Sequence, residues 1–235
     1  MGSILVFLTV LIVCGAWWLS RQGLMSKPWL EQGVPVGGPA PRGAPTSTEK
    51  VGLGVFLAVV GSLFALFISA YSIRMQMPDW RTLPLPKILW LNTGMLVLSS
   101  VALRSAQSAA RRDEAGELRL ALLAAAVTSL AFLSGQILAW RQLTADGYLL
   151  TSNSANAFFY ILTGIHGLHL LGGLAALGMT IGKAWRQDNA PERLRLSVDL
   201  CAMYWHFLLL VWLVIVSVMA GWAGDFIDIC RQLLA

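Results

Sequence analysis

Charged residues along this chain are spaced so that long apolar stretches run uninterrupted between them. A helix needs about 20 consecutive residues with few or no charges to cross the hydrocarbon core of a bilayer. The windows Met1 to Ser20, Val51 to Ile73, Leu120 to Trp140, Gly147 to Gly182 and Cys201 to Gly224 all qualify. A further one, Ile88 to Leu103, extends to about Ala110 if Arg104 carries its guanidinium back toward the interface along its aliphatic stem. The pattern predicts an all-α fold, a polytopic membrane helical bundle of six transmembrane helices.

The polar stretches between these windows organise the chain. Residues 21–50 hold five prolines (Pro28, Pro35, Pro39, Pro41, Pro45) and five glycines, with too few apolar residues to pack a core. They form a linker between an N-terminal anchor, residues 1–20, and a five-helix body, residues 51–235. Loops within the body are short, as in the charged turn Arg111-Arg112-Asp113-Glu114, and short loops make consecutive helices antiparallel neighbours. The segment Met77 to Pro86, with Pro78, Pro84, Pro86 and Trp80, suits a stiff interfacial turn. Trp90, Trp140, Tyr148, Trp185 and Trp222 fall near predicted boundaries, as an aromatic belt requires. No internal repeat of the kind that marks many transporters is visible.

Composition agrees with a membrane protein: 57% of the residues are hydrophobic and 12% charged, where a soluble domain carries roughly a quarter charged residues. The net charge of +5 does not point to nucleic acid, because the cations are dispersed among short loops. Membrane orientation accounts for them better. With the first helix running outside to inside, Arg74, Arg81, Lys87, Arg141 and Arg231 face outward and the other 12 of the 17 cations face the cytoplasm. Both termini are then periplasmic or exterior, in the inner (plasma) membrane of a bacterium. The first span lacks a basic leading region, so it reads as an uncleaved anchor rather than a signal peptide. Cys14, Cys201 and Cys230 are odd in number and show no CxxC spacing, which predicts neither a disulfide framework nor a metal site.

Ionisable side chains within a span are costly and mark candidate sites. Here they are His166 and His169 on the fifth span, His206 on the sixth, and Asp199 at the cytoplasmic entrance of the sixth. No Asp or Glu lies deep in a predicted span, so the chain offers no carboxylate relay and no oxygen-rich cation cage. His166 and His169 are three residues apart and share a helix face, and Gly164, Gly167, Gly172 and Gly173 allow close helix approach. One reading makes His169 and His206 the two ligands of a b-type haem. Counting from the cytoplasmic ends, however, sets them roughly 6 Å apart in depth. The other reading has the imidazoles hydrogen-bonding across helices or to lipid headgroups.

The segment Phe158-Phe159-Tyr160-Ile161-Leu162-Thr163-Gly164-Ile165-His166-Gly167-Leu168-His169, followed by Tyr204-Trp205-His206-Phe207 and Val211-Trp212, resembles subunit III of the haem–copper terminal oxidases. Leu91-Asn92-Thr93 with Ser99-Ser100 resembles the helix start that follows a proline-rich turn in that family, and the likeness covers approximately residues 51 to 225. It implies a non-catalytic subunit of an enzyme complex, with no redox centre in this chain. Haem and copper are expected in the partners, the catalytic subunit I and subunit II, with phospholipid held in a cleft between helix groups. Such a subunit packs on subunit I and supports proton uptake and the stability of the oxygen-reducing site. By the same resemblance Lys183 takes the place of a cation that meets a lipid phosphate, and Asp199 that of a family carboxylate. His166, His169, Tyr204, Trp205 and His206 complete the lipid-binding or structural set. The chain departs from the family pattern in lacking a membrane-embedded Glu around Phe56 to Ser62, in carrying Leu209 where an Asp often stands, and in its single N-terminal anchor. Alternatives are an accessory subunit of nitric oxide reductase, a stand-alone membrane b-type cytochrome and, last, a small-molecule transporter.

Overall fold

The computed structural model describes residues 48–221 apart from 79, 82 and 187–190; of Pro191 only the backbone is described. The first expected span and most of the Pro/Gly-rich linker lie outside the described residues. Five helices follow one another: α1 (Thr48–Arg74), α2 (Ile88–Arg112), α3 (Ala115–Ala145), α4 (Ser154–Arg186) and α5 (Pro191–Met219). All five are long and apolar enough to cross a membrane. At 1.5 Å per residue they measure roughly 37 to 50 Å, more than the ~30 Å hydrocarbon core, so their charged ends extend beyond it. Glu49 and Glu192 sit in first turns, and Arg74, Arg111, Arg112, Lys183 and Arg186 in last turns, where they complement the helix dipoles.

Two compact units divide the chain after Val60. The described part of the first is the apolar start of α1, with Val55, Phe56 and Val59 exposed. The second begins at Gly61 and contains the bundle. There α2 packs on α3, α3 on α4, α4 on α5 and α5 back on α2, closing a four-helix ring. The core runs through it from Leu89, Leu96 and Leu103 of α2, by Leu122 and Phe132 of α3 and Leu170 and Leu177 of α4, to Trp205, Leu208 and Trp212 of α5. Outward positions such as Val101, Val127, Leu138, Leu168 and Leu210 are exposed and apolar, the surface a bilayer requires. Of the five helices α5 is the most enclosed, with half of its most apolar window buried.

Helix ends depart from the hydropathy windows for local reasons. Gly147, expected to open a span, instead ends α3: its φ of 86° is a left-handed conformation that glycine adopts without strain. Tyr148 N–H donates to Leu143 O at 2.9 Å and Gly147 N–H to Thr144 O at 3.2 Å, the paired bonds of a Schellman motif. Helix α4 begins only at Ser154, where Asn153 Oδ1 accepts the Ala155 N–H (3.3 Å) as an N-cap. Helix α5 opens at Pro191, where the missing N–H would have no helical partner in any case. Asp199 is consequently two turns inside α5 rather than at its start. The charged turn after α2 is as short as its sequence suggests, with Asp113 left-handed at φ 59°.

Candidate functional site

Antiparallel packing puts the α2–α3 turn and the start of α5 at one end of the bundle, together with the end of α4. That end gathers Arg111, Arg112, Arg119, Lys183, Arg186, Arg193 and Arg195. Two of these guanidinium groups close helix C-termini that their own helices leave open. Arg195 Nε donates to Ala110 O at 2.9 Å while its Nη2 grips both oxygens of Asp113 at 2.6 and 2.7 Å. Arg119 Nε donates to Ala184 O at 3.1 Å, with its guanidinium over the Trp185 ring. Gln107 donates to Asp199 Oδ1 at 3.0 Å, and Arg111 stands 3.9 Å from the same carboxylate. Lys183 is exposed and donates to Ser197 Oγ at 3.0 Å.

Deeper in, the paired motifs of α4 and α5 act as connectors between helices. His166 is fully buried and its Nε2 lies 3.1 Å from Leu208 O, so Nε2 carries the proton and donates it to α5. The ring lies 5.1 Å from Trp212, 5.6 Å from Phe132 and 6.4 Å from Phe64, centroid to centroid. Tyr204 OH returns a bond to α4, donating to His169 O at 2.8 Å. Trp205 Nε1 donates to Ser129 Oγ of α3 at 3.0 Å, and Ser129 pairs with Ser99 Oγ of α2 at 2.7 Å. Trp212 Nε1 donates to Thr93 Oγ1 of α2 at 2.9 Å. Trp140, placed by sequence in the interfacial belt, turns its indole N–H inward to Thr163 Oγ1 of α4 at 3.1 Å. In a bilayer such interhelical bonds contribute about 0.6 kcal/mol on average and up to roughly 1.7 kcal/mol.

Two glycines make room for this network. A Cβ on Gly173 would stand 2.6 Å from the Tyr204 ring and 3.0 Å from the Trp205 ring. A Cβ on Gly135 would overlap Asn92 Oδ1, whose amide donates to Gln136 Oε1 at 3.3 Å.

His169 and His206 are not brought together. His169 Nδ1 donates back to Ile165 O at 2.8 Å, with its ring against Phe64, and His206 Nδ1 donates back to Ala202 O. Among the described residues no hydrogen bond or ring contact joins the two imidazoles, and no group of three or more His, Cys, Asp or Glu side chains is placed to hold a metal ion. Ser129, Gln136, Arg119 and Arg195 are connectors that sequence did not single out. Their residue types are common on helices, and only the facing helix gives them a role.

Five apolar helices, an apolar outer surface and a polar network joining helices at the centre define a polytopic α-helical membrane protein. The family model for Cytochrome c oxidase subunit III matches residues 52–224. The chain belongs to that family, whose members are accessory subunits of haem–copper oxidases. Among its relatives, the cytochrome c oxidase subunit 3 of Synechocystis sp. is 29% identical over 169 residues, covering 70% of this chain and 71% of the relative. The protein of the same name from Thermostichus vulcanus is 27% identical over 173 residues (72% and 85%). The probable cytochrome c oxidase subunit 3 of Mycobacterium tuberculosis is 30% identical over 174 residues (72% and 85%).

Proposed function

We propose that this chain flanks the catalytic subunit I of a bacterial respiratory oxidase that passes electrons from cytochrome c to oxygen, with subunit II as the further partner and haem and copper in those chains. Its part is mechanical and electrostatic: it stabilises the oxygen-reducing site and supports proton uptake without a redox centre of its own. The observation that carries this reading is the use of the paired motifs. Thr163, His166, Tyr204, Trp205 and Trp212 each commit one polar atom to a neighbouring helix, which makes a rigid scaffold rather than an open binding site.

By the positive-inside rule the cation-rich end is taken as the cytoplasmic one; the end of α5 is then periplasmic, and with Met1 to Ser20 as one further span both termini lie on that side. At the cytoplasmic end Lys183, exposed beside Ser197, is the cation for an anionic phospholipid headgroup, attracted by its charge and by the negative surface potential of that leaflet. Purification of the tagged chain from native membranes in mild detergent tests the reading. A haem-containing oxidase is expected to co-purify with it, and migration of the chain apart from any haem protein would overturn it.

A further inference from the structure

We propose that the outward groove between α2 and α5 is the docking face for one transmembrane helix of the partner subunit. That helix carries a carboxylate opposite Arg104 and, one turn deeper, a hydrogen-bond donor opposite His206. The proposal rests on the reading that this chain is held against an integral membrane partner.

Three pairs set the register of α2 against α5: Ala110 with Arg195, Gln107 with Asp199, and Thr93 with Trp212. Each step back along α2 matches a step forward along α5, so Arg104 is level with Ala202, and His206 is level with Ser99 and Ser100. The helical period decides which way both side chains face. Asp199 reaches α2 through Gln107, and His206, two turns further along α5, lies on the same side of that helix. Arg104 precedes Gln107 by three residues and Arg111 by seven, which puts it on the α5 side of α2. Both residues are nevertheless exposed, so they sit at the outer lips of the groove. Exposed Val97, Val101, Leu210 and Leu213 flank them and give the face an apolar border.

Among the described residues neither polar group is fully satisfied. Arg104 makes no hydrogen bond or ion pair among the described residues. His206 spends its Nδ1–H on Ala202 O, which leaves Nε2 as an outward acceptor. Arg104 lies eight residues inside the charged end of α2, about 12 Å, and the level of His206 is about 18 Å in, near the middle of the hydrocarbon core. A lipid phosphate meets Arg104 if the side chain extends toward the headgroups, but it does not reach an imidazole at that depth. A helix laid along the groove satisfies both. The two levels are five residues apart on α2, about 7 Å, which matches an i, i+4 pair on an incoming helix. A carboxylate is the group that a guanidinium binds through two parallel bonds. The chain's own first apolar run, Met1 to Ser20, contains no Asp or Glu and cannot supply it.

Photo-crosslinking amino acids placed singly at Val101 and Leu213, and at Leu138 and Leu168 on the outer faces of α3 and α4, test this in the intact complex in native membranes. Adducts with an integral membrane subunit are expected from the first two positions and not from the last two. Arg104→Glu is expected to lower co-purification of that subunit by about thirtyfold or more, the scale of breaking one desolvated charge pair, and changing the crosslinked helix's carboxylate to Arg should restore it. Arg104→Gln, with an unchanged thermal midpoint of the isolated chain and the same loss of co-purification, separates docking from misfolding. Protein adducts from α3 and α4 alone, lipid adducts alone at Val101 and Leu213, or wild-type recovery of Arg104→Glu would each overturn the proposal while leaving the oxidase partner in place. If no position yields a protein adduct and the chain migrates alone, the partner reading itself falls.

Discussion

Trp205 donates its indole N–H to Ser129 Oγ across 3.0 Å, joining α5 to α3 at the centre of the bundle. Ser129 in turn pairs with Ser99 of α2, so one indole ties three helices through two hydroxyls. All three residues are buried, and within a bilayer no water is available to replace a lost bond.

Trp205→Phe keeps most of the ring and removes the donor. It is expected to destabilise the chain by about 1 kcal/mol, within the range for interhelical bonds in membranes. Ser129→Ala breaks the same bond, so the double variant should cost less than the two single changes together. Thermal unfolding in detergent reads all three. Strict additivity would mean that the bond contributes nothing.

Gly173 and Gly172 are adjacent and respond oppositely to a methyl group. At Gly173 the added Cβ meets ring atoms of Tyr204 and Trp205, whereas at Gly172 nothing lies within 4 Å. Gly173→Ala is expected to lower stability by about 1 to 3 kcal/mol through overpacking. Gly172→Ala should be neutral or slightly stabilising, because alanine is the better helix former. Equal thermal midpoints for the two variants would show that α4 and α5 can part without cost.

Arg195 holds Asp113 in its left-handed conformation and caps Ala110 O with the same guanidinium. Lysine keeps the charge but lacks the planar fork needed for both contacts. Arg195→Lys is therefore expected to cost about 1 kcal/mol and to loosen the α2–α3 turn, seen as faster amide exchange at Asp113 and Glu114 with α3 and α4 unaffected.

His206→Ala is expected to reduce the yield of the assembled complex, or its lifetime during turnover, before it alters the initial rate of oxygen consumption. The imidazole is exposed and, among the described residues, hydrogen-bonds only within its own helix, so under the proposed docking its loss removes an outward contact rather than a reacting group. An immediate fall in initial rate with the complex intact would assign it a direct part in the reaction.

Hydropathy alone located the five described spans, since a helix without charges for about 20 residues has few places to be other than a bilayer. The motif residues of α4 and α5 were equally visible, because tryptophan, tyrosine and histidine stand out in an apolar helix. What they bind was not visible. Hydropathy cannot distinguish His166, sealed between Phe132 and Trp212, from His206, exposed on the groove, for both are one imidazole in a run of leucines. Helix ends escaped for a related reason: Gly147 reads as one more apolar position until its positive φ makes it the stop of α3. The sequence by itself determined that the chain lives in a membrane and to which family its motifs belong, because both follow from residue type and spacing. The tertiary structure decided which polar groups are spent inside and which are left facing outward, because that depends on what the adjacent helix offers at the same depth.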